Sequence, residues 1–293
     1  MDYFTVKQQY YTGNYKQSLQ EIAKHNKIQD DTLFFYRAKC CLALGQYEKL
    51  SGQTRLGDIF DAYVDFLSSK DLSKLEASIG EAPSPFALHL LASGQCILGQ
   101  YDESLNTCVQ GIDSDEEVGT PELLLLCIQV ALLNGQPSIA TTMLQNYVSA
   151  NEGYSSDNEI IINLAESYIN FATNKETTIS NFYFYEELCQ TFPSWKTQLS
   201  LLNLHLQQSH IPEAQSIIEL LESEYYQQQK ESAQLYAKDF LSAKITLTIM
   251  NGGKADDLRD QLFELAPDHP LCEAHKENNA KFDEIVAKYS AWE

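Results

Sequence analysis

Basic residues are scarce in this chain. Twenty Lys and Arg stand against forty-one Asp and Glu, a net charge of −21 over 293 residues. A nucleic-acid partner needs clustered cations to displace its counterions, so the composition excludes nucleic-acid binding by the chain alone. Direct docking on anionic lipid is disfavoured for the same reason. Long hydrophobic runs are also missing. The longest, Leu123–Leu133, is interrupted by Gln129 and falls well short of the ~20 residues a helix needs to cross a bilayer. Residues 1–10 include Asp2 and Lys7 and no apolar signal segment. No Asn-x-Ser/Thr acceptor occurs. The seven cysteines are an odd number, and Cys40 and Cys41 are adjacent. That usage points to reduced thiols in a cytoplasmic protein.

The signatures of common catalysts are lacking too. There is no G-x-G-x-x-G, no G-x-x-x-x-G-K-[ST], no G-x-S-x-G and no H-E-x-x-H. The stretch from Asp113 to Glu117 starts like a calcium loop. It places Val118 where that loop needs Gly and Leu124 where it needs Glu. His269, Cys272 and His275 have ligand-like spacing, but a structural zinc site takes four ligands and no fourth lies nearby. The expectation is therefore a non-enzyme with no metal and no cofactor. Paired carboxylates such as Glu186–Glu187 and Asp256–Asp257 read as solvated helix faces. Phe182-Tyr183-Phe184-Tyr185 reads as core between repeats.

What the chain does have is a recurring phrase. A Gly or other turn residue is followed by a polar residue, then Tyr or a substitute, then a polar pair leading into Ala, Ser or Leu. It occurs at Gly13-Asn14-Tyr15-Lys16-Gln17-Ser18-Leu19, at Gly45-Gln46-Tyr47-Glu48-Lys49-Leu50 and at Gly99-Gln100-Tyr101-Asp102-Glu103-Ser104-Leu105. Degraded copies begin at Gly135, Ser209 and Gly252. Gly13 to Gly45 is 32 residues and Gly99 to Gly135 is 36, bracketing the 34-residue tetratricopeptide period. In such a unit the Gly closes the first helix. The aromatic covers the turn, and the small residue lets the second helix approach the first. Apolar residues at helical spacing flank each phrase. Examples are Phe34, Ala38 and Cys41; Leu124, Ile128 and Ala131; and Leu258, Leu262 and Leu265.

The fold class read from this pattern is all-α. It is a tetratricopeptide-like, right-handed α-solenoid of stacked helix hairpins spanning residues 1–293 as a single domain of about seven pairs. Gly45 to Gly99 is 54 residues, so the solenoid is irregular around 52–85, where Leu56, Ile59, Phe60, Tyr63 and Leu67 mark an additional helix. A second irregularity falls at 173–181. The last helix, about 271–292, is a C-terminal cap with Phe282, Ile285, Val286 and Tyr289 on one face. A solenoid must cover its terminal core.

First helices line the concave side of such a stack, so the inward positions are expected to bind a partner. They are Phe35 and Lys39; His89, Ser93 and Cys96; Leu125, Gln129 and Leu132; Ile162, Glu166 and Ile169; Leu199, Asn203 and Leu206. This mixed set, low in charge, suits a protein segment with apolar anchors. It does not suit an acidic peptide tail, which would need several clustered cations. A tetratricopeptide adaptor or co-chaperone is the alternative reading.

Several segments carry a more specific resemblance. Phe4-Thr5-Val6-Lys7 through Tyr11-Thr12-Gly13-Asn14-Tyr15 looks like the opening of the epsilon subunit of coatomer. Phe35-Tyr36-Arg37-Ala38 followed by Leu42-Ala43 is similar to that family's second helix pair. Leu164-Ala165 through Phe182-Tyr183-Phe184-Tyr185-Glu186-Glu187-Leu188 resembles its central segment. Gly253-Lys254, Gln261-Leu262, His269-Pro270, Lys276-Glu277-Asn278, Phe282-Asp283 and Tyr289 resemble its tail. The resemblance implies a subunit of the coat that carries retrograde cargo from Golgi to endoplasmic reticulum. Such a subunit is cytosolic and reaches Golgi membranes only through the coat. Its implied direct partner is the C-terminal domain of the alpha subunit.

Overall fold

The computed structural model describes residues 3–25, 30–49, 52, 54–114, 116–151, 155–174 and 178–290. No strand occurs among them. The chain divides into two compact units, residues 1–184 and 185–293.

The first unit begins with α1 (Phe4–Tyr11), α2 (Tyr15–Ala23), α3 (Asp31–Ala43), α4 (Arg55–Ser69), α5 (Ser73–Ile79) and α6 (Pro85–Ile97). It continues with α7 (Tyr101–Ile112), α8 (Thr120–Leu133), α9 (Pro137–Ala150) and, after a 3-10 turn at Ser156–Asn158, α10 (Glu159–Thr173). α11 (Thr178–Thr191) starts in this unit and ends in the next. Side-chain caps start several of these helices. Asp30, Thr54 and Ser84 each accept a bond from the backbone N–H three residues on, satisfying one orphan donor of the first turn.

The repeat phrase has one structural meaning throughout. The residue at its head is left-handed in every copy: Gly13, Gly45, Gly99, Gly135, Ser209 and Gly252 all have φ between 59° and 83°. In each, the following amide donates to the carbonyl five residues back, as from Asn14 to Gln9, Gln100 to Gln95 and His210 to His205. This is the Schellman closure of a first helix. Five residues after that head sit Ser18, Ser104, Ala140 and Ala214, all with no accessible surface. Ser18 donates to the Val6 carbonyl at 3.1 Å and Ser104 to the Ala92 carbonyl at 2.8 Å, each reaching back twelve residues to the preceding helix. A small side chain here sets the close approach of the two helices of a hairpin.

The Gly252 copy has exposed Asp257 at that place, and the Gly45 copy departs further. Its fifth position is Leu50, too large for that approach, and Ser51-Gly52 follows. Residues 46–49 are accordingly not helical. Tyr47 instead stacks on Phe60 and donates from its hydroxyl to Asp61 at 2.9 Å. Leu50 itself lies outside the described residues. The chain passes directly to the α4–α5 hairpin, which accounts for the long interval before Gly99. Arg55 pins that hairpin by donating to the Ile79 carbonyl at 2.8 Å.

Ser209 is the one head residue that is not glycine. A side chain in the left-handed region costs about 1–2 kcal/mol, and glycine adds about 0.5–1 kcal/mol of chain entropy. Ser209→Gly is therefore expected to stabilise the second unit by about 0.5–1 kcal/mol, read as a small rise in its thermal midpoint.

Packing in the first unit follows the repeat. α2, α5, α7 and α9 each touch the first helix of their own hairpin and the first helix that follows. The first helices also touch in series: α1 with α3, α3 with α4, α4 with α6, α6 with α8, and α8 with α10. α10 then meets α1, so the inner layer closes on itself. Its core runs from Val6 through Phe35, Tyr36, Phe60, Phe66, Phe86 and Leu90 to Leu123 and Cys127.

The second unit contains α12 (Trp195–Gln207), α13 (Ile211–Glu222), two short helices, α14 (Glu224–Gln227) and α15 (Lys230–Leu235), then α16 (Ala237–Met250), α17 (Asp256–Leu265) and α18 (Pro270–Ser290). Trp195 is its central anchor. It is buried and lies edge-on to Tyr226 and Phe240, and its indole N–H donates to the Tyr226 carbonyl at 3.2 Å. Ile245, Ala255, Leu262 and Cys272 form a small terminal cluster, which the first turns of α18 cover with Leu271. The rest of that helix differs from expectation. Phe282 is 65% exposed and Tyr289 74%, and Ile285 and Val286 are exposed as well. Their stripe continues the capping face past the end of the hairpin it covers.

Candidate partner-binding surface

The inner layer of the first unit is held shut by a buried polar knot. Lys7 on α1 pairs with Glu122 on α8 at 2.8 Å, with side-chain exposures of only 7% and 1%. Lys7 also donates to Asn158 Oδ1 at 2.7 Å. Tyr36 on α3 donates to the same carboxylate at 2.6 Å, and its hydroxyl oxygen lies 3.5 Å from that of Tyr11. The Tyr3 amide donates to Asp157 at 3.1 Å. Burial, and then the Glu122 charge, push the Tyr11 and Tyr36 hydroxyls well above their usual range. These contacts tie residues 3–7 to residues 122 and 157–158. Nothing in the local sequence pattern announces them, since Lys7 and Glu122 each look like an ordinary surface charge on a helix.

The fourteen inward positions fall into three groups. Phe35, Leu125, Ile162, Ile169, Leu199 and Leu206 are buried. Lys39, His89, Ser93, Cys96, Gln129 and Leu132 are half-buried, and Glu166 and Asn203 are exposed. Phe35, 1% accessible, stacks on Phe86 with ring centroids 4.4 Å apart. In this conformation the buried six offer no surface to a partner, and the remaining eight do. Leu199, Asn203 and Leu206 stand in the second unit and the other eleven in the first.

The structure brings Lys39 and His89 together. The His89 ring lies 5.2 Å from that of Phe35, and the Lys39 ammonium 5.8 Å from the same ring. Ser93 donates to the His89 carbonyl at 2.7 Å. Burial lowers the Lys39 ammonium to about 8. His89 is held well below its ordinary value by burial first and by the Lys39 charge second. In the second unit Lys196 is likewise lowered to about 8 by burial.

Two clefts lie outside the expected set. One of about 580 Å³ has an apolar floor of Leu124 and Met143 and an acidic rim of Asp113, Glu116 and Glu117. In the second unit a cleft of about 830 Å³ is lined by Trp195, Phe240, Leu241 and Leu265, with Glu222 and Lys244 at its edge. Lys244 and Glu222 pair there at 2.6 Å.

Burial raises the Cys40 thiol to about 12 and the Cys189 thiol to about 11. The Cys108 thiol is raised by its neighbour Cys127 and by burial. Thiols held this high are poor nucleophiles at neutral pH. The His269, Cys272 and His275 trio has other employment. The His269 ring accepts from the Leu271 amide at 3.2 Å, Cys272 is buried in the terminal cluster, and the His275 ring meets Asn279 at 3.2 Å. No group of three or more His, Cys, Asp or Glu placed to hold a metal ion occurs among the described residues. No helix among them is long and apolar enough to cross a membrane.

Hairpins whose second helices bridge consecutive first helices, most of them closed by the same left-handed turn, define a helical-repeat protein of the tetratricopeptide type. The family model described as "Coatomer epsilon subunit" matches residues 99–290. The chain is also 57% identical over 292 residues to "Coatomer subunit epsilon" of Saccharomyces cerevisiae, covering 99% of each sequence. The chain belongs to the coatomer epsilon subunit family.

Proposed function

We propose that this protein is a non-catalytic structural subunit of the coatomer vesicle coat. In this reading it binds and stabilises the C-terminal domain of the alpha subunit in Golgi-to-endoplasmic-reticulum transport. It is cytoplasmic and reaches Golgi membranes and coated vesicles through the rest of the coat. The observation that carries the reading is the 57% identity with the yeast subunit over 99% of both chains. The chemistry of the chain is compatible with it. The accessible inward residues mix polar and apolar side chains, as protein-holding surfaces do. The acidic surface favours protein over nucleic acid or bare anionic lipid as the direct partner.

The test is co-purification with the alpha subunit's C-terminal domain. Leu132 is the apolar inward residue that remains half-buried, so a charge there meets the partner more than the core. Leu132→Asp is expected to weaken the complex by about tenfold or more with helicity unchanged. Charge reversal of Asp256 and Asp257, which are exposed on α17, leaves it intact. Failure of the unaltered chain to bind this domain would refute the proposal.

A further inference from the structure

Among the described residues Lys39 is a cation without a counter-charge. It projects from α3, one turn past Phe35, into the half-buried patch made with His89 and Ser93 on α6. Its only described contact is the face of the Phe35 ring. No carboxylate lies within ion-pair distance of it among the described residues, although acids outnumber bases two to one in the chain. Four lysines do find acids: Lys7 pairs with Glu122, Lys24 with Glu21, Lys49 with Asp65 and Lys244 with Glu222. The Lys39 charge opposes protonation of its neighbour His89. The ring face attracts the ammonium only weakly, so a partly desolvated Lys39 has much to gain from an anion that meets it.

We infer that Lys39 is the recognition point for a single carboxylate on the bound segment, an aspartate or glutamate set among apolar residues. The inference rests on the coat-subunit reading for the identity of the partner and adds the chemistry by which the partner is held. One embedded acid differs from an acidic tail, which would need several clustered cations that this surface lacks. The apolar residues on either side of the acid would lie against Leu132 and the exposed edges of Gln129 and Cys96. His89, neutral in this setting, keeps a ring nitrogen 3.5 Å from Ser93 Oγ and adds no competing charge. Lowering of the Lys39 ammonium by burial is what an anionic partner would reverse.

The experiment compares the full chain with Lys39→Met and Lys39→Arg for affinity to the alpha subunit's C-terminal domain, and measures the thermal midpoint of each free chain. Lys39→Met is expected to bind at least about tenfold more weakly, while Lys39→Arg retains most of the affinity. The free Lys39→Met chain is expected to melt higher than the unaltered one, because an uncompensated charge has been removed. On the partner, replacing each Asp or Glu by its amide in turn should reveal one position whose loss is not additive with Lys39→Met. If the unaltered chain binds and Lys39→Met binds equally well, the inference is overturned and the coat-subunit reading stands. A lower melting point for Lys39→Met would also overturn it, since the amine would then be satisfied within the chain. If the unaltered chain does not bind, the coat-subunit reading fails and takes this inference with it.

Discussion

Lys7→Met is expected to destabilise the first unit by about 3–5 kcal/mol, a drop in its thermal midpoint of about 10 °C. Lys7 and Glu122 are both withdrawn from water and lie 2.8 Å apart. Removing the cation leaves a carboxylate with 1% side-chain exposure and only neutral donors. One of its oxygens, Oε2, has no hydrogen-bond partner even with the pair intact. An uncompensated buried charge is far costlier than a missing pair. The double variant Lys7→Met with Glu122→Met should therefore recover much of the loss, because a buried pair often contributes little over apolar residues of similar size. The knot also connects helices distant in sequence, so the damage should appear as loosening of α1 from α10 before the unit as a whole unfolds. Amide exchange would show this as early loss of protection in α1. A single variant as stable as the unaltered chain would mean that the pair does not hold the layer shut.

Phe35→Ala is expected to cost about 3–5 kcal/mol of stability in the free chain. Its ring stacks on Phe86 at 4.4 Å and lies 5.8 Å from Phe60 and 5.6 Å from Tyr36, both tilted or edge-on. Deleting it opens a cavity where α3, α4 and α6 meet, in the middle of the larger core. Aromatic contacts of this kind add about 0.5–1.5 kcal/mol per pair beyond burial. The variant separates two roles for an inward residue. A side chain whose main role is to contact a partner can be removed with little effect on the free protein. One that belongs to the core lowers the melting point whether or not a partner is present. Equal melting points for Phe35→Ala and the unaltered chain would contradict its place in the core. Leu132→Asp should show the opposite pattern, losing affinity while the free chain keeps its melting point.

The hairpins were legible because their signals are local. A left-handed residue after the first helix and a small residue five positions later act within one turn and one helix contact. After Gly45, where Leu50 stands in the small residue's place, residues 46–49 are not helical, although the phrase itself reads as a full copy. The additional helix at 55–69 showed in its own apolar spacing, from Leu56 to Tyr63. Closure of the inner layer was not legible. It depends on Lys7 meeting Glu122 and Asn158, contacts between helices more than a hundred residues apart, and no periodic pattern encodes which helix returns to the first. For the same reason the division of inward positions into covered and open could not be read. Phe35, in the second turn of α3, is covered by Phe86 from a neighbouring hairpin, whereas Leu132, one residue from the end of α8, stays half-buried. The terminal helix shows the converse. Its apolar stripe reads as a capping face; Leu271 and Cys272 at its start pack in the terminal cluster, while Phe282, Ile285, Val286 and Tyr289 are exposed.

The account turns on where a protein partner is held. Amide hydrogen exchange of the chain alone and in complex with the alpha subunit's C-terminal domain measures this most directly. New protection is expected along α3, α6 and α8, around Lys39, His89, Ser93, Gln129 and Leu132, with the outer helices α7 and α9 changing little. Protection confined to α7 and α9, or to the exposed stripe of α18, with no change at Lys39 and Leu132, would contradict it.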